Sequence, residues 1–245
     1  MEAERSEHTA EGEVQWRPVS LTFVEYPEGD IIGKALAYIS LAPVIILVGF
    51  ATLILFRREL HTMTFFCGLL FNEMVNWITK HIIKEPRPPR GNQEMLFSEY
   101  GMPSSHSQFM WFFAVYIVLF IYIRLGLQQH SSASLIELAW KHCLAIGTTF
   151  LALIVSFSRV YLAYHTVRQV ICGALLGTIL AVPWFAFNEV FLTPLYPRVV
   201  SWRVAEILLV RDSTLIPNVL WFEYTNARTE ARTRQRKQGC GNKMS

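Results

Sequence analysis

The fold is decided by an uncharged stretch near the N-terminus, ALAYISLAPVIILVGFATLILF (Ala35–Phe56), which runs for 22 residues. A helix needs about 20 mostly apolar residues to cross a bilayer. Four further runs share this character and hold a single charged residue, Glu73, among them: Met63–Thr79, Ser105–Ile123, Cys143–Phe157 and Val170–Phe187. The pattern predicts an all-α, polytopic transmembrane bundle of about five to six spans.

The composition of the 245 residues agrees with a membrane protein. Only 17% are charged and the mean hydropathy is +0.31, whereas a soluble domain has roughly 25% charged residues. The alternative, a large soluble helical bundle, requires a wetted polar face on its helices, and Ile39–Phe56 and Trp111–Ile123 have none. The net charge of +3 and the absence of a C-x-x-C pair among four cysteines do not indicate nucleic-acid binding, a disulfide framework or a zinc site.

Three regions are expected along the chain. Residues 1–30 are acidic and lack the basic-then-apolar layout of a cleaved signal peptide. Residues 31–224 form the membrane domain, and the basic tail, 225–245, has no apolar periodicity and is predicted to be disordered. The apolar segment Val204–Phe222 contains Glu206, Arg211 and Asp212, so a sixth span and an interfacial segment both remain open for it.

The first polar cluster ends the second span and reads KHIIKEPRPP (80–89). Asn72, Asn76, Lys80 and Lys84 recur every four residues, so they are expected on one helical face that looks into the bundle. The prolines then stop the helix and hold Arg87 in extended backbone at the membrane surface. The alternative is a belt of basic side chains that snorkel to the interface.

The second cluster, GMPSSHSQF (101–109), precedes the third span. Ser104 or Ser105 is a good N-cap, and His106 falls in the first helical turn. A helix N-terminus presents unpaired N–H groups and a partial positive charge, which suit an anion, and His106 adds a proton donor or acceptor. The alternative is an ordinary serine cap beside an incidental histidine.

The third cluster, SFSRVYLAYHTVRQV (156–170), joins the fourth and fifth spans. Arg159 closes one span, and His165 and Gln169 lie four residues apart on one face of the next. Alone, these are typical packing and topology residues. Because each pair of spans returns the chain to the same side, however, all three clusters meet on one membrane face, where they combine cations, a helix N-terminus and two histidines into a site suited to phosphoryl transfer.

Other phosphoryl-transfer chemistries lack their residues in this chain. Two-metal hydrolysis needs carboxylate or His clusters, and the only two Asp residues, Asp30 and Asp212, have no such neighbour. A D-x-D segment and a G-x-x-x-x-G-K-[ST] loop are absent, and Cys67, Cys143 and Cys172 lack an Arg six residues later. Histidine remains as the nucleophile.

KHIIKEPRP, PSSH and SRVYLAYH resemble, in order, the three signature segments of the type 2 phosphatidic acid phosphatase (PAP2) superfamily, K-x6-RP, PSGH and SR-x5-H-x3-D. The resemblance implies a PAP2-like fold and a lipid phosphatase that uses a phosphohistidine intermediate, with no metal and no cofactor. It implies His165 as the nucleophile and His106 as the acid and then the base. It also implies a set of groups that hold the phosphate oxygens: Lys80, Arg87, Ser104, Ser105 and Arg159.

Two positions depart from the family pattern. The glycine of PSGH is Ser105, whose Cβ makes a positive φ less accessible. The Asp that orients the nucleophile is Gln169, whose amide oxygen can accept from Nδ1–H of His165 but cannot stabilise a positive charge as a carboxylate does. Gln169 is also the best support for a further alternative, a non-catalytic membrane scaffold or lipid carrier, and the retention of His106 and His165 argues against it.

The likeness extends beyond the signatures, through LTFVEYPEGD, RRELH and IPNVLWFEYT, to a branch of the superfamily that hydrolyses a polyprenyl diphosphate. Over roughly residues 16–237 it implies a polyprenyl diphosphate lipid as substrate and the endoplasmic reticulum membrane as the location. A phosphatidate or sphingoid phosphate is the alternative substrate, since all of these end in a phosphate. No feature of the chain indicates an obligate protein partner.

The distribution of the 22 Lys and Arg residues predicts the orientation. Apart from Lys80, Arg87 and Arg159 of the site, the catalytic face carries six of them and the opposite face thirteen. Because basic residues favour the cytoplasmic side, the catalytic face is expected to be luminal, provided that the number of spans is odd.

Overall fold

The computed structural model describes residues 16–19, 24–89, 100–125, 135–216 and 219–241. An antiparallel hairpin, β1 (Trp16–Val19) and β2 (Val24–Pro27), comes first. The helices are α1 (Ile31–Ile39), α2 (Ala42–Arg57), α3 (Leu60–Ile83), α4 (Ser105–Leu119), α5 (Leu135–Tyr161), α6 (Val167–Phe187), α7 (Tyr196–Val200), α8 (Arg203–Ile207) and α9 (Val219–Gly241). A π-helical turn, Phe120–Arg124, extends α4, and a π-helical and a 3-10 turn, Asn188–Leu192 and Thr193–Leu195, join α6 to α7.

The described helices form a membrane-sized bundle. Four segments are long and apolar enough to span a bilayer: Ile31–Arg57, Ser105–Arg124, Leu138–Tyr161 and Val167–Val200. Helix α3, whose 24 residues extend for about 36 Å, is long enough to be the second span that the sequence predicts. Outward-facing side chains such as Ile45, Ile146 and Ile179 are apolar and largely exposed, as lipid contact requires. The predicted all-α polytopic bundle is confirmed, and the chain is a multi-pass membrane protein.

Helix α4 occupies the centre of the bundle and packs mainly against α6 and α5. Its apolar side chains Phe109, Met110 and Phe112 are almost wholly buried. Two glycines four residues apart on α6 allow the two backbones to touch. A Cβ at Gly173 would lie 2.6 Å from the carbonyl oxygen of Ser104, and one at Gly177 would overlap that of Gln108. Small residues at this spacing therefore set the position of the α4 N-terminus.

Within Val204–Phe222, the described residues 204–216 and 219–222 contain no helix that is long and apolar enough to cross a membrane. The amide of Leu60 donates to the carbonyl of Arg211 (3.1 Å), and the amide of Arg211 donates to the carbonyl of Arg58 (3.0 Å). Glu223 forms an ion pair with Arg57 at 2.6 Å. The described part of the segment thus stays at the α2–α3 connection, at the end of α3 opposite Lys80.

The tail differs from the prediction of disorder. Residues 219–241 form α9, most of which is exposed. Apolar periodicity reports a buried face, and α9 has none, but Ala, Glu, Arg, Gln and Lys are strong helix formers in any surroundings. Glu230 and Arg234 add an ion pair one turn apart at 2.8 Å. The last four predicted tail residues, 242–245, lie outside the described residues.

Candidate active site

The C-terminal half of α3 presents one polar face to the bundle, as its spacing predicts. Asn72, Asn76 and Lys80 are buried, with 8% of Lys80 exposed. The amide of Asn76 donates to Gln108 Oε1 on α4 (2.7 Å), and Gln108 Nε2 donates to Asn72 Oδ1 (3.0 Å). The two asparagines therefore fix α3 against α4, while Lys80 supplies a cation to the same face.

Lys84 does not belong to this face. It follows the last residue of α3 with φ 53, and its side chain is exposed. A residue in the left-handed region at a helix end turns the chain away from the helical register. The prediction that Lys84 looks into the bundle was wrong, because α3 ends before the prolines rather than at them.

Ser104, one of the two expected N-cap residues, is the N-cap position of α4, but its side chain does not cap the helix. Ser104 Oγ is buried and has no hydrogen-bond partner among the described residues. Its backbone amide donates to the carbonyl of Gln169 at 3.2 Å. Ser105 occupies the first turn of α4 with helical backbone, so its Cβ meets no conformational obstacle there. His106 follows, partly exposed.

The turn between α5 and α6 holds Arg159 and His165 together. The amides of Tyr164 and His165 both donate to the carbonyl of Arg159, at 3.0 and 3.1 Å. The Arg159 guanidinium lies 4.0 Å from the centre of the Tyr164 ring. The amide of Glu25, in β2, donates to Tyr164 Oη at 2.9 Å. The N-terminal hairpin thus supports the aromatic ring that positions Arg159, which is only 4% exposed.

The three clusters meet at one place. His106 and His165 interact electrostatically with each other. The same three cations act on both rings: Lys80, Arg87 and Arg159. Burial lowers the pKa of His165, and the positive charge of Arg159 lowers it further, so its imidazole is neutral at pH 7. A neutral ring retains the lone pair that a nucleophile requires.

Gln169 determines which nitrogen of His165 carries that lone pair. Gln169 Oε1 lies 3.2 Å from His165 Nδ1 and also accepts from the amide of Thr166 at 3.2 Å. Gln169 Nε2 donates to the carbonyl of Pro86 (2.9 Å) and to Glu85 Oε1 (3.0 Å). All four partners agree on the orientation of the amide, so His165 Nδ1 must donate and Nε2 is unprotonated. The expected acceptor role of Gln169 fits this geometry.

The motifs do not include several residues that shape the site. Gly173 and Gly177 had a readable signal for close helix packing, since small residues four apart in an apolar run are typical of it. Tyr164 and Glu85 lie within the motif segments, but their partners, Glu25 and Gln169, are distant in sequence and only the fold brings them together. Within the described ranges, no three His, Cys, Asp or Glu side chains cluster closely enough to hold a metal ion.

Residues 61–191 match the PAP2 superfamily, to which this chain belongs. The chain is 57% identical over 224 residues to a protein named Dolichyldiphosphatase 1 from Rhinolophus ferrumequinum, and 56% identical to one of the same name from Homo sapiens. Each alignment covers 91% of this chain and 93% of the relative. The resemblance to a polyprenyl diphosphate branch is thereby confirmed as a resemblance to dolichyl diphosphatases.

A solved structure shares the fold. The transmembrane PAP2-type phosphatidylglycerolphosphate phosphatase from Bacillus subtilis superposes with a TM-score of 0.52, over 65% of this chain and 78% of that one. The sequences are 21% identical, so the likeness concerns the arrangement of helices.

Proposed function

We propose that this protein hydrolyses dolichyl diphosphate to dolichyl phosphate and inorganic phosphate, and so returns a lipid carrier of protein N-glycosylation to use. The observation that carries the proposal is the pair His106 and His165 inside a site with three cations. A pocket that only binds phosphate needs cations, whereas hydrolysis without a metal also needs a nucleophile and an acid. The name of the relatives, which are similar over 91% of the chain, supports the choice of lipid.

In the first half-reaction, Nε2 of His165 attacks the terminal phosphorus. The bond between that phosphorus and the bridging oxygen breaks as the N–P bond forms, and His106 donates a proton to the departing dolichyl phosphate. The hydrogen bond from Nδ1 to Gln169 Oε1 holds the ring with its lone pair toward the phosphate. Acid catalysis of this kind contributes about 10²–10⁴-fold.

In the second half-reaction, His106 acts as the base. It takes a proton from water as the water oxygen attacks the phosphohistidine, the N–P bond breaks, and inorganic phosphate leaves. Because the same histidine serves both steps, replacing His106 slows both, whereas replacing His165 removes the intermediate altogether.

The charges around the site suit a diphosphate. A terminal diphosphate carries roughly −2 to −3 near neutral pH, and three cations, Lys80, Arg87 and Arg159, offset it. Arg87 and Arg159 can each contact two oxygens at once. Ser104 Oγ, which has no partner within the described part of the chain, adds a donor from the α4 N-terminus. These contacts stabilise charge that spreads over the equatorial oxygens in the transition state.

The catalytic face is proposed to be luminal in the endoplasmic reticulum. Counting α3 with the four apolar spans gives five crossings, which supports this orientation, since an odd number leaves the basic α9 on the opposite side from the site and preserves the excess of Lys and Arg there. An epitope placed at the C-terminus of the protein in sealed microsomes should be removed by added protease without detergent. Protection of that epitope from the protease would show that the catalytic face is cytoplasmic instead.

Phosphate release from a panel of lipids tests the proposal. Purified protein should act faster on dolichyl diphosphate than on phosphatidate or a sphingoid phosphate. The variant His165→Ala should be inactive, while the matched control His142→Ala, an exposed histidine that contacts Tyr122, should retain activity. Faster turnover of phosphatidate would overturn the choice of lipid. Equal release by wild type and His165→Ala would favour the non-catalytic scaffold.

A further inference from the structure

Glu85 places a carboxylate one amide away from His165. Its Oε1 accepts from Gln169 Nε2 at 3.0 Å, and Gln169 Oε1 in turn lies 3.2 Å from His165 Nδ1. The three side chains therefore form a continuous line from a carboxylate, through a carboxamide, to the imidazole. Glu85 comes just after α3 and Gln169 from α6, so two separate elements of the bundle contribute to the line.

We infer that Glu85 is a positioning residue for the hydrolysis reaction, which it assists by holding and polarising the amide of Gln169 against His165. The inference rests on the proposed function and deepens it. Gln169 stands where the family pattern has an Asp, and the Glu85–Gln169 pair supplies, from one residue further away, the negative charge that Gln169 lacks.

The hydrogen bonds of Gln169 explain how the charge is transmitted. One N–H donates to the carbonyl of Pro86 and the other to the Glu85 carboxylate. A hydrogen bond to an ionised acceptor is stronger than one to a neutral acceptor, and it shifts electron density in the amide toward Oε1. That oxygen then accepts more strongly from Nδ1–H of His165, which stabilises the ring as positive charge develops during attack.

Glu85 is itself held in the charged form. The hydrogen bond from Gln169, followed by the one from Arg168, lowers the pKa of the Glu85 carboxyl, so it is ionised at neutral pH. Arg168 Nη2 donates to the second oxygen, Oε2, at 2.7 Å. The amide of Gly101 donates to the backbone carbonyl of Glu85 at 2.6 Å, and this ties the residue to the loop before α4. A Cβ at Gly101 would lie 2.7 Å from Gln169 Nε2, so only glycine fits beside the amide without displacing it.

The charge of Glu85 acts on a ring that otherwise faces positive groups. Three cations bear on His165: Arg159 on α5, Lys80 on α3 and Arg87 after α3. The ring of His106 on α4 interacts with it as well, and Arg168 on α6 pairs with Glu85 at 2.7 Å. Removing a negative charge from this environment makes protonation of His165 harder still. The acid side of the pH profile of kcat/KM, where activity falls as His165 is protonated, should therefore move to lower pH when Glu85 is neutralised.

The test is the variant Glu85→Gln, which keeps the shape and a carbonyl acceptor but removes the charge. Turnover of dolichyl diphosphate should fall about 10-fold, the lower end of the losses that follow removal of a hydrogen-bonding partner behind a metal-ligating side chain. The acid side of the kcat/KM profile should move to lower pH. The matched control is Glu230→Gln on α9, which removes an exposed carboxylate that forms an ion pair with Arg234. It should change neither the turnover nor the pH profile.

Repeating Glu85→Gln in a protein that already carries Gln169→Asp separates a positioning role of Glu85 from an effect on folding. In Gln169→Asp, a carboxylate contacts His165 directly, so the further change Glu85→Gln should cost less than about threefold there. An equal loss in both backgrounds, or an acid side of the pH profile that does not move, would overturn the inference. If the wild-type protein hydrolyses no lipid diphosphate, the proposed function fails. If the wild type is active and Glu85→Gln matches it, only the role of Glu85 fails.

Discussion

The contact between α4 and α6 offers a quantitative test of how the bundle positions the catalytic groups. A Cβ at Gly173 would lie 2.6 Å from the carbonyl oxygen of Ser104, whereas ordinary contact begins near 3.4 Å, so Gly173→Ala must part the helices by about 0.8 Å. Overpacking of this kind costs about 1–3 kcal/mol. The same shift moves the α4 N-terminus, with His106, away from His165, and a misplacement near 1 Å can lower a rate on the order of 10²-fold.

The assay pairs thermal unfolding in detergent with turnover of dolichyl diphosphate. The control is Gly147→Ala in α5, where an added Cβ meets nothing within 4 Å. Both substitutions gain about 1 kcal/mol of helix propensity, so the difference between them isolates the clash. Gly173→Ala should unfold at a lower temperature than Gly147→Ala and lose most activity even while folded. Wild-type turnover by folded Gly173→Ala would refute the reasoning, because the α4–α6 contact would then not position the site.

Three further expectations follow from the charges and rings of the site. Arg87→Lys should lower kcat/KM on the order of tenfold in the lipid assay, since an ammonium cannot make the two parallel contacts of a guanidinium, and an unchanged value would contradict that role. Tyr164→Leu should lower kcat/KM about fivefold by removing a ring–cation contact with Arg159 worth about 1 kcal/mol. Tyr164→Phe keeps the ring over Arg159 but loses the Oη that accepts from the amide of Glu25, so its loss should be smaller than that of Tyr164→Leu. The acid side of the pH profile of kcat/KM should have its midpoint below pH 6.5. Burial, and then the charge of Arg159, lower the pKa of His165, and a lowered pKa keeps the ring neutral to lower pH. A midpoint above pH 6.5 would count against His165 as the titrating group.

Much of the bundle could be predicted because membrane spans leave a direct imprint on sequence. Uncharged runs near 20 residues long have few other uses. The four-residue spacing of Asn72, Asn76 and Lys80 likewise predicted their shared face. The disposition of Val204–Phe222 was not predictable, because it depends on pairing between Arg211 and the α2–α3 connection, which is remote in sequence. The helicity of α9 was missed because it arises from local propensity without any buried face.

The candidate site was predictable to the level of its polar residues but not of their partners. Motif spacing brought His106, His165 and the cations to one membrane face, since connectivity alone fixes the side on which each cluster emerges. The line from Glu85 through Gln169 depends on hydrogen bonds between residues 84 positions apart. Such contacts have no periodic signature, so sequence alone left Gln169 as an unexplained departure.

The most direct test of the central claim is to trap the intermediate. Brief incubation of the protein with dolichyl diphosphate labelled in the terminal phosphate, followed by denaturation at alkaline pH, should leave an acid-labile label on the peptide that contains His165. The label should be absent from His165→Ala and persist longer in His106→Ala, where the base for hydrolysis is missing. Label on another residue, or undiminished labelling of His165→Ala, would contradict the account.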